Sequence, residues 1–358
     1  MLTLGRYLLR EVLLATGLVL LALIVLFSFF DLLHEMGDMQ RNGGYGLAKV
    51  FLYVLLNIPG HVYEAAPIAA LIGSLFAVSR LVTNSELTVM RTSGVSTWRV
   101  ARYLGLLGLV FSLLALLNGE LVSPWTEQVA QQIKLTATKS VVVQQFQSGL
   151  WAKDGNSFIN AREVMPDATL KDVRIYRFDD KWHLLSASRS ESAKWLGNQQ
   201  WQLNNTAESQ ILADGVKTKT EETQNWRTVL SPDILSVLLV APEKMSTVTL
   251  YRYIKHLRAN KQKSSRYEIA LWSKLFLPLA TPVMMLLALP FAYHSPRSGG
   301  TSIRVFLGIL AGLGFHLLNR LFGYVGLLND WPPFLAAVLP SVFIFVVALF
   351  AINQVEKR

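Results

Sequence analysis

The sequence predicts an α-helical membrane protein with six transmembrane helices, three on each side of an inserted all-β domain. Of the 358 residues, 52% are hydrophobic and 16% are charged, whereas soluble proteins carry about 25% charged residues. The charge is concentrated in residues 123–265, where 33 of 143 positions are Lys, Arg, Asp or Glu. A polar domain thus interrupts an apolar chain, which excludes a soluble enzyme, a disordered chain and a DNA-binding domain.

The chemistry of the sequence is that of a protein without a catalytic site. The chain has no cysteine, which excludes disulfides, zinc thiolate sites and thiol nucleophiles. It contains no phosphate-binding G-x-x-x-x-G-K-[ST] loop, no H-E-x-x-H and no G-x-S-x-G, and its six histidines are scattered. We expect neither an enzymatic activity nor a bound metal or cofactor in this chain.

The first two transmembrane spans are predicted from long apolar runs near the amino terminus. The run Val12–Phe30 has 19 residues, about 28 Å of helix, which is enough to cross the bilayer core and too long for a signal-peptide core. The run Leu47–Leu81 is interrupted by Pro59 and Pro67. It predicts a surface segment up to Asn57, followed by a kinked helix that ends near Arg80.

Four further spans complete the predicted arrangement, at Arg102–Val122, Ile269–Tyr293, Ile303–Leu328 and Phe334–Asn353. The predicted domains are therefore residues 1–122, 123–265 and 266–358. The positive-inside rule orients the spans, because one side of the membrane receives ten basic residues and the short loops of the other receive Arg41 and Lys49. Both termini are predicted to be cytoplasmic and residues 123–265 to lie outside, which in a Gram-negative cell means the periplasm.

Residues 123–265 are typical of short antiparallel strands. The turn pairs Asp154-Gly155, Gly197-Asn198 and Asp214-Gly215 separate runs such as Ser157–Val164 and Val173–Phe178. This spacing predicts a sandwich, a jelly roll or a related form. The domain returns through a helix whose apolar stripe is Leu250, Tyr253, Ile254 and Leu257. That helix lies either on the membrane surface or against its own domain.

The polar segment Thr83–Gly94, between spans two and three, has two interpretations. Thr83 or Asn84 can cap a two-turn helix near residues 84–92, and Gly94 can end it. Such a helix would present Glu86 and Met90 on one face, where a cytoplasmic partner could bind them. The alternative is an ordinary solvated loop, which hydropathy alone favours.

Several polar residues lie inside the predicted spans, where hydrocarbon makes them costly. They indicate either a polar cavity for an amphiphile with an anionic head or interhelical hydrogen bonds and snorkelling. The positions are Asp31, His34, His61, Glu64, Glu120, Lys274, His316, Asn319 and Arg320.

Three segments of the chain, together with the order of its parts, resemble a known family. The segments are Gly149–Asn156 (GLWAKDGN), Leu271–Pro278 (LWSKLFLP) with Met284-Met285-Leu286 following, and Ser85–Met90 (SELTVM) with Ser93-Gly94. They resemble the LptF/LptG family of lipopolysaccharide-export permeases, and within it the LptG branch. The resemblance covers the whole chain and favours the helix interpretation of the polar segment.

The resemblance implies a transport subunit that extracts lipopolysaccharide from the outer leaflet of the inner membrane and passes it to a periplasmic β-jelly-roll bridge. Its implied partners are an LptF-like permease, two copies of an LptB-like ATPase that binds ATP and Mg, and an LptC-like bitopic protein. The helix near residues 84–92 would couple the ATPase to the spans, through Ser85, Glu86, Leu87, Met90 and Arg91.

Only some of the substrate contacts that the resemblance implies have matching residues in this sequence. Some family members carry lysines near the outer end of span one, where this chain has Ser28, Asp31, His34 and Glu35. The candidate head-group contacts are His34, Arg41, His61, Lys134 and Arg304. Two other classes of function stay open at the level of sequence: a membrane-anchored periplasmic assembly or sensor protein without an ATPase partner, and an intramembrane enzyme.

Overall fold

The computed structural model describes residues 2–41, 45–138, 149–165, 169–212, 215–228, 230, 241–260, 262–293 and 301–357. Before the β domain the chain forms α1 (Leu2–Arg41), α2 (Leu47–Thr83), α3 (Glu86–Thr92), α4 (Thr97–Leu117), a π-helical segment (Asn118–Val122) and α5 (Ser123–Thr138). After it come α6 (Thr247–Ala259), α7 (Ser265–Phe276), α8 (Ala280–Tyr293), α9 (Thr301–Leu328) and α10 (Pro333–Glu356).

Five of the described helices are long and apolar enough to cross a membrane, and a sixth span is present if the bent pair α7 and α8 is one span. The five are α1, α2, α4 with its continuation through α5, α9 and α10. This is the multi-pass architecture that the sequence predicts.

Helix α2 is the centre of the bundle. Its most apolar stretch is 78% buried, against 11% for α1, and α1, α5, α8 and α9 all pack against it. Small residues allow this packing. A Cβ at Gly73 of α2 would lie 2.4 Å from the Cα of Thr16 on α1, so the two backbones meet where only glycine fits.

The structure corrects the prediction for the second span. The prediction of a surface segment up to Asn57 and a separate kinked helix is wrong, because α2 runs without a break from Leu47 to Thr83 through Pro59 and Pro67. Proline is tolerated within membrane helices because neighbouring groups satisfy the backbone that it leaves unpaired. The amide of Asn118 on the π-helical segment donates to the carbonyl of Pro59 at 2.6 Å, which ties the third span to this part of α2.

The third and fourth spans also differ from the predicted ends. The helix of the third span begins at Thr97 and continues past Val122 into α5, with the π-helical segment in between. The fourth span is broken rather than straight. Helices α7 and α8 meet at 57° around Leu277–Leu279, where Pro278 removes a backbone donor.

The β domain is a six-stranded antiparallel sheet in the order β1-β2-β3-β4-β5-β6. Its strands are Leu150–Asp154, Ser157–Val164, Leu170–Phe178, Leu184–Gly197, Gln200–Leu212 and Gly215–Arg227. The prediction of an antiparallel β domain is confirmed, and the described strands follow one another as a meander. One face buries an apolar cluster that includes Ile175, Trp201 and Trp226. The indole of Trp201 donates to the carbonyl of Leu230 at 2.7 Å.

Helix α6 carries the chain from the β domain back to the spans. Its predicted stripe is confirmed, because Leu250, Tyr253, Ile254 and Leu257 are all buried. The stripe packs against Ala270, Tyr267 and Leu271 of α7. The helix therefore docks on the next helix of the chain, and neither sequence interpretation, a bare membrane surface or its own β domain, describes this contact.

Candidate functional site

The helix between spans two and three is present, as α3, and its side chains divide into a buried and an outward set. Leu87 is 1% exposed and Met90 7% exposed, and both belong to the core that α1, α2, α4 and α8 share. Val89 is 61% exposed. The expectation that Met90 shares an outward face with Glu86 is wrong, because the outward neighbour is Val89, at i+3.

The start of α3 differs from the predicted cap. Ser85 is the N-cap, in the left-handed conformation at φ 61° and without a side-chain cap bond, so neither Thr83 nor Asn84 caps the helix. The predicted end is confirmed: Gly94 has φ +88° and its N–H donates to the carbonyl of Arg91. Glycine adopts that backbone conformation without steric cost.

Glu86 is held by two neighbours. The hydroxyl of Tyr7, in the first turns of α1, donates to its Oε2 at 3.0 Å, and the amide of Asn84 donates to its Oε1 at 3.2 Å. Arg80 and Glu11 form a further ion pair between α2 and α1 at 3.5 Å. The amino-terminal part of α1 is therefore fastened to α3 and to the end of α2.

The last helix reaches the same end of the bundle. A Glu356 oxygen accepts a hydrogen bond from the backbone N–H of Thr97 at 3.0 Å, which ties α10 to the start of α4. The guanidinium of Arg91 lies over the ring of Tyr293, 5.7 Å from its centroid. Helix α3 therefore sits where α1, α2, α4, α8 and α10 converge, and a force on its outward face would reach all of them.

The opposite end of the bundle has two pairs in which a carboxylate of α1 contacts a basic residue. Asp31 Oδ2 lies 2.7 Å from His61 Nε2 on α2. One turn further along α1, Glu35 Oε1 accepts from Lys134 Nζ of α5 at 2.6 Å, and the hydroxyl of Tyr45 donates to Glu35 Oε2 at 2.9 Å. Two of the five candidate head-group contacts, His61 and Lys134, thus already contact carboxylates of the chain itself.

The other three candidates are placed less fully. His34 is exposed on α1, on the turn between the two charged pairs. Arg41 and Arg304 lie within helices α1 and α9, but their side chains are outside the described residues. The structure does not bring the five predicted contacts together into one basic cluster within the part that it describes.

A third polar cluster joins the spans to α6. The sequence singles out two of its members, Glu120 and Lys274, without connecting them. Glu120, on the π-helical segment, accepts from the Thr247 N–H at 3.1 Å and from the Thr247 hydroxyl at 2.7 Å. Lys274 donates to the carbonyl of Met245, and the hydroxyl of Tyr63 donates to the carbonyl of Lys274 at 2.6 Å. Glu120 thereby faces the positive end of the α6 dipole.

A largely apolar cavity of about 160 Å³ lies at this junction. Its lining includes Leu116, Gly119, Val248 and Leu275. Among the described residues, no group of three or more His, Asp or Glu side chains could hold a metal ion. The hydrogen bonds at this junction anchor α6 to the third and fourth spans.

Together the fold and these sites define a class: a multi-span membrane protein with a β domain inserted between two sets of spans and a short helix at one end of the bundle. The profile of the lipopolysaccharide export system permease LptF/LptG family matches residues 6–354. The chain belongs to that family.

Two relatives of full length support the LptG branch. The chain is 33% identical over 341 residues to the lipopolysaccharide export system permease protein LptG of Escherichia coli, covering 95% of this chain and 94% of the relative. It is 30% identical over 356 residues to LptG of Haemophilus influenzae, covering 98% of each. The chain is 26% identical to LptF of Escherichia coli over 173 residues, which cover 47% of this chain and 46% of the relative.

Proposed function

We propose that this chain is the permease subunit of an ABC transporter that extracts lipopolysaccharide from the outer leaflet of the inner membrane. It passes the lipid to a periplasmic β-jelly-roll bridge toward the outer membrane. Membership of the LptF/LptG family supports this, as do full-length relatives named for lipopolysaccharide export. The observation that carries the mechanism is the position of α3. Its side chains Leu87 and Met90 are buried in the core, and its side chain Val89 is exposed.

Helix α3 docks into a cytoplasmic LptB-like ATPase, of which the complex holds two copies. Glu86 and Val89 form the docking face, and Ser85 and Arg91 flank it. Leu87 and Met90 act from the inside, because their burial in the shared core converts a movement of α3 into a movement of α1, α2, α4 and α8. Close-packed interiors transmit such displacements. ATP and Mg bind on the partner and not on this chain.

This assignment fixes the orientation of the chain. Helix α3 and both termini face the cytoplasm, and the β domain faces the periplasm. The contact of Glu356 with Thr97 supports the first part, because it places the end of α10 beside α3. The excess of basic residues on that side supports it as well.

The lipid is received beside α1 and α9. Both helices pack on α2 and expose long apolar faces, which include Leu18, Val25, Leu310 and Leu317. Covering a CH₂ group of an acyl chain on such a surface, instead of exposing it to water, lowers the free energy by about 0.8 kcal/mol. An LptF-like permease closes the cavity from the other side, and an LptC-like helix lies beside α1.

The polar head group lies at the β-domain end of α1. His34, Arg41, His61 and Lys134 remain the proposed contacts there, and the head group competes with the present carboxylate partners of His61 and Lys134. Arg304 is not among them, because it lies in the first turn of α9, at the α3 end of the bundle, where Gly308 of α9 meets Leu75 of α2. The apolar face of the sheet, with Trp201 and Trp226, then receives the acyl chains. A photo-cross-linker on that face should capture lipid during ATP turnover, and persistent failure to do so counts against this step.

Affinity capture from detergent extracts tests the proposal. Wild type should retain an ATPase and lipopolysaccharide, and Glu86→Ala should lose the ATPase. Glu222→Ala, the same change on exposed strand β6, is the matched control and should behave as wild type. If no ATPase is captured with any variant, the function is instead that of a membrane-anchored periplasmic assembly or sensor protein.

A further inference from the structure

The two members of the Glu35–Lys134 pair, at the β-domain end of α1, differ in how far their side chains are exposed. The side chain of Glu35 is 2% exposed, and that of Lys134 is 20% exposed. The acid is therefore enclosed by the protein, while part of the base is open to the outside. An anion that approaches this end can reach Lys134 but not Glu35.

Two tyrosines hold this pair in one geometry. Lys134 Nζ lies 2.6 Å from Glu35 Oε1 and 5.4 Å from the centroid of the Tyr53 ring, and Tyr45 donates to the second oxygen of Glu35. Tyr45, Val50 and Ala137 pack around it as an apolar cluster. A charge pair in such surroundings is screened weakly by salt. Any ligand anion must therefore compete with the Glu35 carboxylate for Lys134.

We propose that Glu35 is a specificity-determining residue: it balances Lys134 so that this position selects phosphomonoester over phosphodiester head groups. The inference rests on the proposed function in taking a phosphorylated lipid as the ligand. A phosphomonoester carries a charge of about −1.5 to −2 near neutral pH, and a phosphodiester carries a single negative charge. Only the former brings more charge to Lys134 than the carboxylate already there.

The consequence is discrimination against the bulk lipids of the same leaflet. A phosphodiester lipid gives the Lys134 ammonium no stronger attraction than Glu35 does, because each carries one negative charge. Its binding would also disturb the existing pair of Glu35 and Lys134. A phosphomonoester lipid gains charge at a site where water is scarce, and charge-assisted hydrogen bonds to its oxygens are the strong ones. Removing the carboxylate should leave Lys134 open to either lipid.

Two glycerophospholipids with identical acyl chains make the test direct. The permease complex is placed in neutral nanodiscs doped with either phosphatidic acid, a phosphomonoester, or phosphatidylglycerol, a phosphodiester. Lipid bound to the chain is counted by native mass spectrometry. We expect wild type to prefer phosphatidic acid by roughly tenfold, which corresponds to about 1.4 kcal/mol. Glu35→Gln should bind phosphatidylglycerol more tightly and lose most of the preference.

Matched variants separate selectivity from structure. Glu11→Gln makes the same change at the other end of α1, where the partner is Arg80 of α2, and should keep the wild-type preference. Lys134→Gln should weaken both lipids. If Glu35→Gln does not fold, Glu35→Asp retracts the carboxylate from Lys134 and should lower the preference in part.

Two outcomes overturn the inference: equal binding of the two lipids by wild type, or an unchanged preference in both Glu35 variants. Because lipid binding is measured without ATP, either result leaves the proposed transport function standing if an ATPase is still captured through Glu86. Loss of ATPase capture, with the lipid preference intact, would reject the transport function alone.

Discussion

The hydroxyl of Tyr7 donates a hydrogen bond to the carboxylate of Glu86 at 3.0 Å, although 79 residues separate them in the chain. The bond joins the first turns of α1 to the first residue of α3. Since α1 continues from there to Arg41, one helix connects the proposed ATPase contact with the charged pairs at the other end of the bundle. Movement of α3 can thus reach the head-group region along α1 as well as α2.

Tyr7→Phe should weaken coupling without removing the partner. The variant loses one hydrogen bond at an exposed position, which contributes little to stability, so the fold should persist. We expect the ATPase to be captured as in wild type, with less lipopolysaccharide released per ATP hydrolysed. Tyr251→Phe, on an exposed face of α6, is the control. An unchanged ratio of lipid released to ATP hydrolysed would show that the bond carries no coupling.

Gly73→Ala should destabilise the bundle. The added Cβ would lie 2.4 Å from the Cα of Thr16, so α1 must move away from α2. Overpacking of this kind costs about 1–3 kcal/mol. Thermal unfolding in detergent measures it. Gly17→Ala is the matched control on the neighbouring helix, because nothing lies within 4 Å of its added Cβ, and it should be neutral or stabilising.

Glu120→Gln should loosen the joint between the third span and α6. The neutral amide keeps one acceptor for Thr247 but loses the negative charge at the helix N-terminus, a contribution of about 0.3–1 kcal/mol. Peptide-resolved hydrogen exchange should show less protection in the first turn of α6. Glu243→Gln, an exposed acid shortly before that helix, should leave the protection unchanged. Equal protection in both variants would contradict the anchoring role.

The stability of the β domain should depend on pH through Asp172. Burial alone would raise the pKa of Asp172, but hydrogen bonds from Arg189 at 2.6 Å and Arg174 at 3.2 Å, with their charges, outweigh burial and lower the pKa. A carboxyl whose folded pKa is lowered stabilises the fold above its unfolded pKa, about 3.9, and this contribution is lost as pH falls through the folded pKa.

Asp172→Asn should therefore destabilise the domain near neutral pH and differ little from wild type in strong acid. Its partners are partly exposed, so we expect about 1 kcal/mol at most. Asparagine suits the backbone, whose φ is +46°. Hydrogen exchange of the sheet, normalised for the intrinsic pH dependence, measures the difference. A gap between the proteins that widens toward low pH would reverse the sign and reject the linkage.

Local patterns in the sequence are sufficient for much of this fold. The strand Ser157–Val164 is found with its predicted ends, and Gly155 turns the chain before it at φ +57°. The stripe on α6 is buried as its spacing requires. Such features depend on side-chain period and turn chemistry, which a single sequence carries.

Features that depend on tertiary contacts could not be predicted. Pro59 suggests a break, and only the helices around α2 make it tolerable. Positions i+3 and i+4 are both neighbours on a helix, so the sequence alone could not show that Val89 faces outward and Met90 inward. The pair of Glu35 with Lys134 joins residues 99 apart, which no local pattern reveals.

In the proposed mechanism, an ATPase that acts on α3 drives this chain to release lipopolysaccharide. The complete complex, reconstituted in liposomes with lipopolysaccharide, tests it most directly when the lipid passed to a soluble acceptor is measured with and without ATP. We expect ATP-dependent transfer for wild type and for Glu222→Ala, and transfer at the ATP-free level for Glu86→Ala. Transfer that proceeds equally without ATP, or that Glu86→Ala leaves unchanged, would contradict the account.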